Sequence, residues 1–311
     1  MNPDLFLADL EAKPSALEDL AAYLETDPFQ ALPDGIRRVV FLGMGSSRYA
    51  ANVAALRLRA RGFDAYAEYG SARAAFPQSE GTLVVPISAT GGSLETLDAA
   101  ARYSDVVAIT NRPGSKIAEG ARLVVPMMAG EERGGVACRT FQHTLALLLA
   151  LEAHLTGAPL PPVRQAAEAT QDLLDRRGQW LDQALDLLDG PHGVYTIAPA
   201  ERLSSAEQSA LMFREGPRRQ ADACESGDWS HVDVYLTKTY DYRAILFPGS
   251  AYDAQAMDWI TQRGSTVLTV GAEVAGAKGA IRYLHDGARD VALLTETLVA
   301  ELVAAHWWGA Q

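Results

Sequence analysis

The chain has 311 residues and a formal charge of −12, with 27 basic residues set against 39 acidic ones. That length allows two domains, each with a core of its own, and 48% hydrophobic residues suit a folded globular protein. The acidic balance excludes a general nucleic-acid binder, whose phosphate contacts need clustered Lys and Arg, and lysine occurs only at 13, 116, 238 and 278.

From the amino end, Leu5, Leu7, Leu10, Leu17, Leu20 and Leu24 fall at helical spacing and predict a helix up to Glu25, within an N-terminal segment 1–35. Asp4, Asp9, Glu11, Glu18 and Asp19 in this stretch are unlike a signal peptide. Asp27-Pro28 and Pro33-Asp34 break the pattern. Strands are then expected at Arg38–Leu42, Ala65–Glu68, Thr82–Ile87, Val106–Thr110 and Arg122–Pro126, with helices near 48–61 and 93–103. A long apolar helix, Val136 to Leu155, closes this half. No uncharged apolar run approaches the roughly 20 residues of a membrane span, so a soluble, cytoplasmic setting without a membrane partner is expected.

Pro159-Leu160-Pro161-Pro162 marks a boundary, followed by a helical connector within 159–190. Strands are expected again at Val194–Ile197, Ala244–Phe247 and Thr266–Val270, with helices at 203–214, 251–263 and 289–307. Strands alternating with helices, and apolar runs without polar alternation, predict an α/β protein with parallel sheets covered on both faces. The two halves align as diverged copies: Phe41 to Arg59 matches Thr196 to Arg214 without a gap. The expected architecture is therefore two tandem doubly wound domains, 36–158 and 191–311. Gly43 and Gly45 become Ala198 and Ala200 in the second copy, which removes the close backbone approach that an anion requires. The first domain should carry the anion site.

Ser88-Ala89-Thr90-Gly91-Gly92-Ser93 lies between a strand and a helix, at the carboxyl edge where open α/β sheets bind ligands. Ser88, Thr90 and Ser93 offer hydroxyls, Gly91-Gly92 lets the backbone come close, and a helix N-terminus favours an anion. Ser46 and Ser47 form a second hydroxyl pair at the preceding strand–helix turn. The plain alternative is that Ser93 only caps its helix. Gly43-Met44-Gly45 lacks the third glycine of a dinucleotide fingerprint, Arg48 standing there, and no Gly-Lys-Ser/Thr occurs. Cys138 and Cys224 are the only cysteines and read as two reduced thiols. His143, His154, His285 and His306 show no metal spacing, so neither a metal nor a cofactor is expected.

Gly43-Met44-Gly45-Ser46-Ser47, Ile87 through Thr96, and Thr110-Asn111-Arg112-Pro113-Gly114-Ser115 together resemble the sugar isomerase (SIS) domain family. The likeness runs from Arg38 to Trp308 and is to its double-SIS members: the isomerase part of glucosamine-6-phosphate synthase, amino-sugar-phosphate deaminases and fructosamine-phosphate deglycases. It implies that Ser88, Thr90 and Ser93 hold the phosphate of a phosphorylated sugar or amino sugar, with Ser46 and Ser47 close to the sugar and Ala89 at a further substrate-binding position of the loop. Glu132 through Phe141 matches a family landmark in which Ala137 replaces a serine that touches the sugar. Phe213-Arg214-Glu215, Asp222, Gly227 and His231 match a further stretch without insertion. The likeness implies that Glu215 is the base moving a proton between C1 and C2. It also implies that His231, delivered across a homodimer interface to a shared site, opens the sugar ring.

Ala89 and Gly92 stand where the family has glutamine and glutamate, and no lysine follows Lys278 to match the family's C-terminal catalytic lysine. The sequence has no N-terminal cysteine of the glutaminase kind, so synthesis from glutamine is not expected. The expected function is a sugar-phosphate isomerase, deaminase or deglycase. A phosphosugar-binding sensor that lost the chemistry is the alternative, and an α/β enzyme with a nucleotide ligand is the more distant one.

Overall fold

The apolar runs read as strands form parallel ladders in the computed structural model, which describes residues 1–311. The elements of the first half are α1 (Pro3–Glu11), α2 (Lys13–Leu24), β1 (Arg38–Gly43), α3 (Gly45–Ala60), β2 (Asp64–Tyr69), β3 (Thr82–Pro86), α4 (Leu94–Ala100), β4 (Val107–Thr110), β5 (Leu123–Pro126) and α5 (Arg139–Thr156). Then come α6 (Val163–Asp175), α7 (Arg177–Leu188), β6 (Val194–Ala198), α8 (Leu203–Glu215), β7 (Ala221–Glu225), α9 (Ser226–Trp229), β8 (Arg243–Leu246), α10 (Asp253–Gln262), β9 (Thr266–Val270), β10 (Gly279–Ile281), α11 (Arg289–Thr295) and α12 (Thr297–Gly309).

The chain divides into two compact units made of interleaved segments. The amino unit comprises Ser15–Glu131 and Arg139–Val163; the carboxy unit comprises Met1–Pro14, Glu132–Cys138 and Arg164–Gln311. In the amino unit β2-β1-β3 is joined to β4-β5 by one bridge between Ile87 and Ile109, so the strand order is β2-β1-β3-β4-β5. The carboxy unit has the order β7-β6-β8-β9-β10, the same topology. The repeat seen in the residues is thus a repeat of the fold, and β1–α3 matches β6–α8 element for element. The entries to the two helices differ: Gly45 turns into α3 at φ +49, whereas Pro199 and a 3-10 turn at Ala200–Arg202 lead into α8. A side chain at 45 would be strained, and the second copy meets its alanine with a different turn.

Several boundaries differ from the periodicity. The predicted first helix is broken at Ala12, and α1 is capped by Asn2, whose Oδ1 accepts from the Leu5 N–H at 3.0 Å. The long apolar helix starts at Arg139 instead of Val136, because the residues before it belong to the carboxy unit. In the connector, α7 packs on β8, β9, β10 and α12 and serves as a covering helix of the second sheet. β7 and β10, which show no apolar run, are the two edges of that sheet. The run Arg289–Gly309 is long and apolar enough for a membrane span, but 94% of its most apolar 18-residue window is buried inside the fold.

Glu296, at the junction of α11 and α12, is fully buried, with Arg202 Nη1 3.0 Å away. Burial lifts its carboxyl from 4.5 to about 7, against the pull of Arg202. The folded state therefore binds a proton that the unfolded chain releases above 4.5. The stability this confers is complete below that pH and is lost as pH rises to about 7. Denaturation of wild type and Glu296→Gln from pH 4.5 to 8 should show an extra decline in the wild type of about 3 kcal/mol. Parallel curves would mean that Glu296 is not the titrating group.

Candidate functional site

Right-handed crossovers from β1 to β2 and from β3 to β4 run in opposite directions and leave α3 and α4 on opposite faces of the amino unit's sheet. The carboxyl edge between β1 and β3 is therefore its topological switch point, where such sheets bind ligands. Gly43-Met44-Gly45 closes one side of it. Ser46 and Ser47, both half-buried, fall in the first turn of the 16-residue α3. The turn after β2 completes the wall: a Cβ on Gly70 would lie 2.9 Å from the backbone of Glu95 and Thr96.

The loop after β3 forms the other side. Ser88 is buried and its N–H donates to Ile109 O at 3.1 Å, while its own carbonyl accepts from the Gly91 N–H at 3.0 Å. The carbonyl of Ala89 accepts from the Asn111 N–H at 3.1 Å, and Gly91 O accepts from the Ile117 N–H at 3.1 Å. These bonds tie the loop to the strand and turn beside it and engage the carbonyls of Ser88, Ala89 and Gly91. The N–H groups of Ala89 and Thr90 have no partner within the chain. Thr90 is exposed, and its Oγ1 accepts from the Gly92 N–H at 3.3 Å. Ser93 behaves differently from its neighbours. Its Oγ donates to Glu95 Oε2 at 3.1 Å and accepts from Thr96 Oγ1 at 3.2 Å, so the first turn of α4 already engages it. With seven residues α4 is also too short to contribute a strong dipole, leaving the loop amides and hydroxyls as the main anion donors.

The carboxy unit shows what this loop shape can hold. The bonds Ile87 N–H to Leu42 O and Phe247 N–H to Ile197 O, both 2.8 Å, place Ile87 and Phe247 in equivalent positions. Counting on without a gap, Ala89 and Thr90 correspond to Gly249 and Ser250, and Ser93 corresponds to Asp253. The Asp253 carboxylate accepts from the N–H groups of Gly249 and Ser250 at 2.6 and 3.0 Å. An anionic side chain thus fills, in the second copy, the seat that the first copy leaves to its serine and its unpaired amides.

The other expected residues lie in the carboxy unit. The segment Glu132–Cys138 is clasped there: Gly134 N–H donates to Asp9 Oδ2 at 2.7 Å, and a Cβ on Gly134 would fall 2.5 Å from Phe6 Cα. The carbonyl of Ala137 accepts from Gln208 Nε2 at 2.7 Å, and Glu132 Oε1 accepts from the Cys138 N–H at 2.7 Å. Glu215, half-buried at the end of α8, has its carboxyl raised mainly by burial; Arg214 opposes this and Glu132 adds to it. His231 is exposed after α9, its N–H donating to Asp228 O at 2.8 Å.

Residues 35–153 match the SIS domain family model. These residues form an SIS domain. Glutamine–fructose-6-phosphate aminotransferase [isomerizing] of Pyrobaculum aerophilum is 24% identical over 254 residues, 76% of this chain and 42% of that one. The chain thus spans less than half the length of that relative. Among solved structures, the C-terminal domain of glucosamine-fructose-6-phosphate aminotransferase from Francisella tularensis superposes with a TM-score of 0.82 at 16% identity, covering 99% of both chains. Tagatose-6-phosphate ketose/aldose isomerase from Escherichia coli gives 0.76 at 16% identity, covering 97% of this chain and 92% of that one. These likenesses extend the shared fold over the whole chain.

Within the SIS domain the contact made by one motif residue, Ser115, and a second cavity escaped the residue pattern. Ser115 Oγ is buried against Gly91, a contact between sequence-distant loops with no local signal. A cavity of about 470 Å³ opens at the opposite, amino edge of β3 and β4, near Gln78, Glu80, Asp105 and Arg122. Arg122 is bound by Asp105 there, and the cavity holds none of the hydroxyls of the switch point. Chemistry, more than volume, therefore marks the carboxyl edge as the candidate site. Among His, Cys, Asp and Glu no group of three is placed to hold a metal ion.

Proposed function

We propose that the chain is a sugar-phosphate enzyme of the aldose–ketose isomerase or amino-sugar-phosphate deaminase or deglycase kind. Its substrate would be a hexose 6-phosphate or the phosphate of fructosamine or glucosamine. The observation that carries the reading is the loop Ser88–Ser93, with two unpaired amides whose counterparts at Gly249 and Ser250 hold a carboxylate. Ser46, Ser47, Ser88, Ala89, Thr90 and Ser93 form the phosphosugar site in this reading. Ser93 would exchange its bonds to Glu95 and Thr96 for the phosphate.

Isomerisation moves a proton between C1 and C2 of the open sugar, which calls for a carboxylate base and a group titrating near neutrality to open the ring. Glu215 is assigned as the base. A carboxylate raised by burial is the stronger proton acceptor, and Glu132 in the same unit sustains the shift. His231 is assigned to ring opening; being exposed, it is available to a second copy of the chain, and the assembly is read as a homodimer. Ala137 brings a methyl group where the family has a hydroxyl, which favours a substrate that asks for less hydrogen bonding at that point.

The second reading, a phosphosugar-responsive regulatory protein, draws on the same substitution and on Gly92. That glycine is exposed, and a Cβ there would meet only Thr90 Oγ1, at 3.9 Å, so the backbone does not demand glycine. Incubation with fructose 6-phosphate, glucosamine 6-phosphate and a fructosamine phosphate, followed by NMR, separates the two. Turnover of any of them is the expected result. Binding without turnover would favour the regulator, and absence of binding would remove both readings. Glu215→Gln should lower kcat about 10²- to 10⁴-fold while sugar phosphate still binds. An unchanged kcat would take Glu215 out of the mechanism.

A further inference from the structure

Ser115 stands on the turn after β4, and its Oγ is buried with no hydrogen-bond partner in the chain. That hydroxyl occupies the place a side chain of residue 91 would take. A Cβ on Gly91 would fall 1.7 Å from Ser115 Oγ and 3.1 Å from Thr110 Oγ1. Gly91 itself is held at φ +64. Around it the two loops are laced together: Asn111 N–H and Thr110 Oγ1 reach Ala89 O at 3.1 and 3.4 Å, and Ile117 N–H reaches Gly91 O at 3.1 Å. The carbonyls of Ala89 and Gly91 are thereby engaged by the backbone of the neighbouring turn.

Buried hydroxyls are almost always hydrogen-bonded, since leaving one unmade is costly. The Ser115 hydroxyl, set against Gly91 of the neighbouring loop, has such a bond to gain. We propose that Ser115 is a positioning residue of the anion cradle, its hydroxyl becoming hydrogen-bonded to the Gly91 peptide when the Ser88–Ser93 loop closes on the phosphate of a sugar phosphate. The proposal rests on the reading of that loop as the phosphate seat. Ser115 acts through the backbone: it braces Gly91 from beneath while the amides of Ala89 and Thr90 turn to the anion. Its contribution belongs to the loaded state and to the phosphate end of the ligand, independent of which sugar is attached.

Calorimetric titration of wild type and Ser115→Ala with inorganic phosphate and with fructose 6-phosphate tests this. Both ligands should bind Ser115→Ala about 5- to 10-fold more weakly, by a common factor, the size expected for one hydrogen bond. The Tm of the ligand-free variant should match wild type, and KM should rise with kcat unchanged. Ser115→Cys, similar in size but a weaker donor, should fall between the two. Unchanged affinity in Ser115→Ala beside a wild type that binds overturns the proposal alone. So does a lowered ligand-free Tm with affinity retained, which is the signature of a purely structural serine. A wild type that binds neither ligand overturns the reading of the loop, and the proposal with it.

Discussion

Lys13→Met is expected to destabilise the protein by about 3–5 kcal/mol, the usual cost of leaving one member of a buried ion pair alone. Lys13 Nζ and the Glu301 carboxylate are bonded to each other, and both side chains are entirely shielded from water. Burial pushes the Glu301 carboxyl up, and Lys13 is the main group that opposes this. Methionine keeps the length of the side chain but removes the charge, so Glu301 must either stay ionised without a partner or take up a proton. The pair fastens residues 1–14 to α12, beside the tilted contact of Phe6 and Trp308 with ring centroids 6.0 Å apart. Thermal unfolding at pH 7.5 should register a fall in Tm of roughly 10 °C. The double variant Lys13→Met with Glu301→Leu should recover most of it, since an apolar pair of similar volume replaces a buried salt bridge at little cost. A single variant as stable as wild type would show that the pair contributes nothing.

Gly91→Ala is expected to abolish sugar-phosphate binding and to cost about 2 kcal/mol or more of stability. Two independent penalties combine here. The left-handed backbone at φ +64 costs an L-residue about 1–2 kcal/mol, and the new methyl group would overlap Ser115 Oγ at 1.7 Å and Ser115 Cβ at 2.4 Å. Either the loop or the turn carrying Ser115 has to move, and the amides of Ala89 and Thr90 move with the loop. Adding Ser115→Gly to Gly91→Ala makes room for the methyl group. The double variant should therefore regain much of its Tm while binding fructose 6-phosphate more weakly than wild type, because the bracing hydroxyl is absent. Denaturation and calorimetry on the three variants check both parts. Wild-type affinity in Gly91→Ala would show that the conformation of this loop is irrelevant to the ligand.

Much of the candidate site was legible from residues because the features that suggest it are local. A hydroxyl- and glycine-rich turn between an apolar strand and a helix can cap the helix or offer donors to an anion, and Ser46, Ser47, Ser88, Thr90 and Ser93 stand on such turns. The part that was not legible depends on partners far away in sequence. Glu215 is raised by burial and by Glu132, 83 positions away along the chain. The bonds of Ser93 to Glu95 and Thr96 are local, yet only the set of α4 decides that the hydroxyl turns inward.

The sequence by itself determined the α/β class, the central apolar runs that became β1, β3 and β4, and the internal repeat, because buried parallel strands must be apolar on both faces. It also determined which copy kept its glycines. Only the tertiary structure decided that β7 and β10 are strands: Ala221–Glu225 and Gly279–Ile281 lie at sheet edges, where one paired neighbour suffices and no apolar run is required. Only it decided that Glu132–Cys138 joins the carboxy unit and that Asp253 fills the second loop. One of the four lysines proved to be the buried partner of Glu301. Spacing along a chain encodes which face of an element is apolar; it does not encode which distant group meets it, and burial of charge is set by that meeting alone.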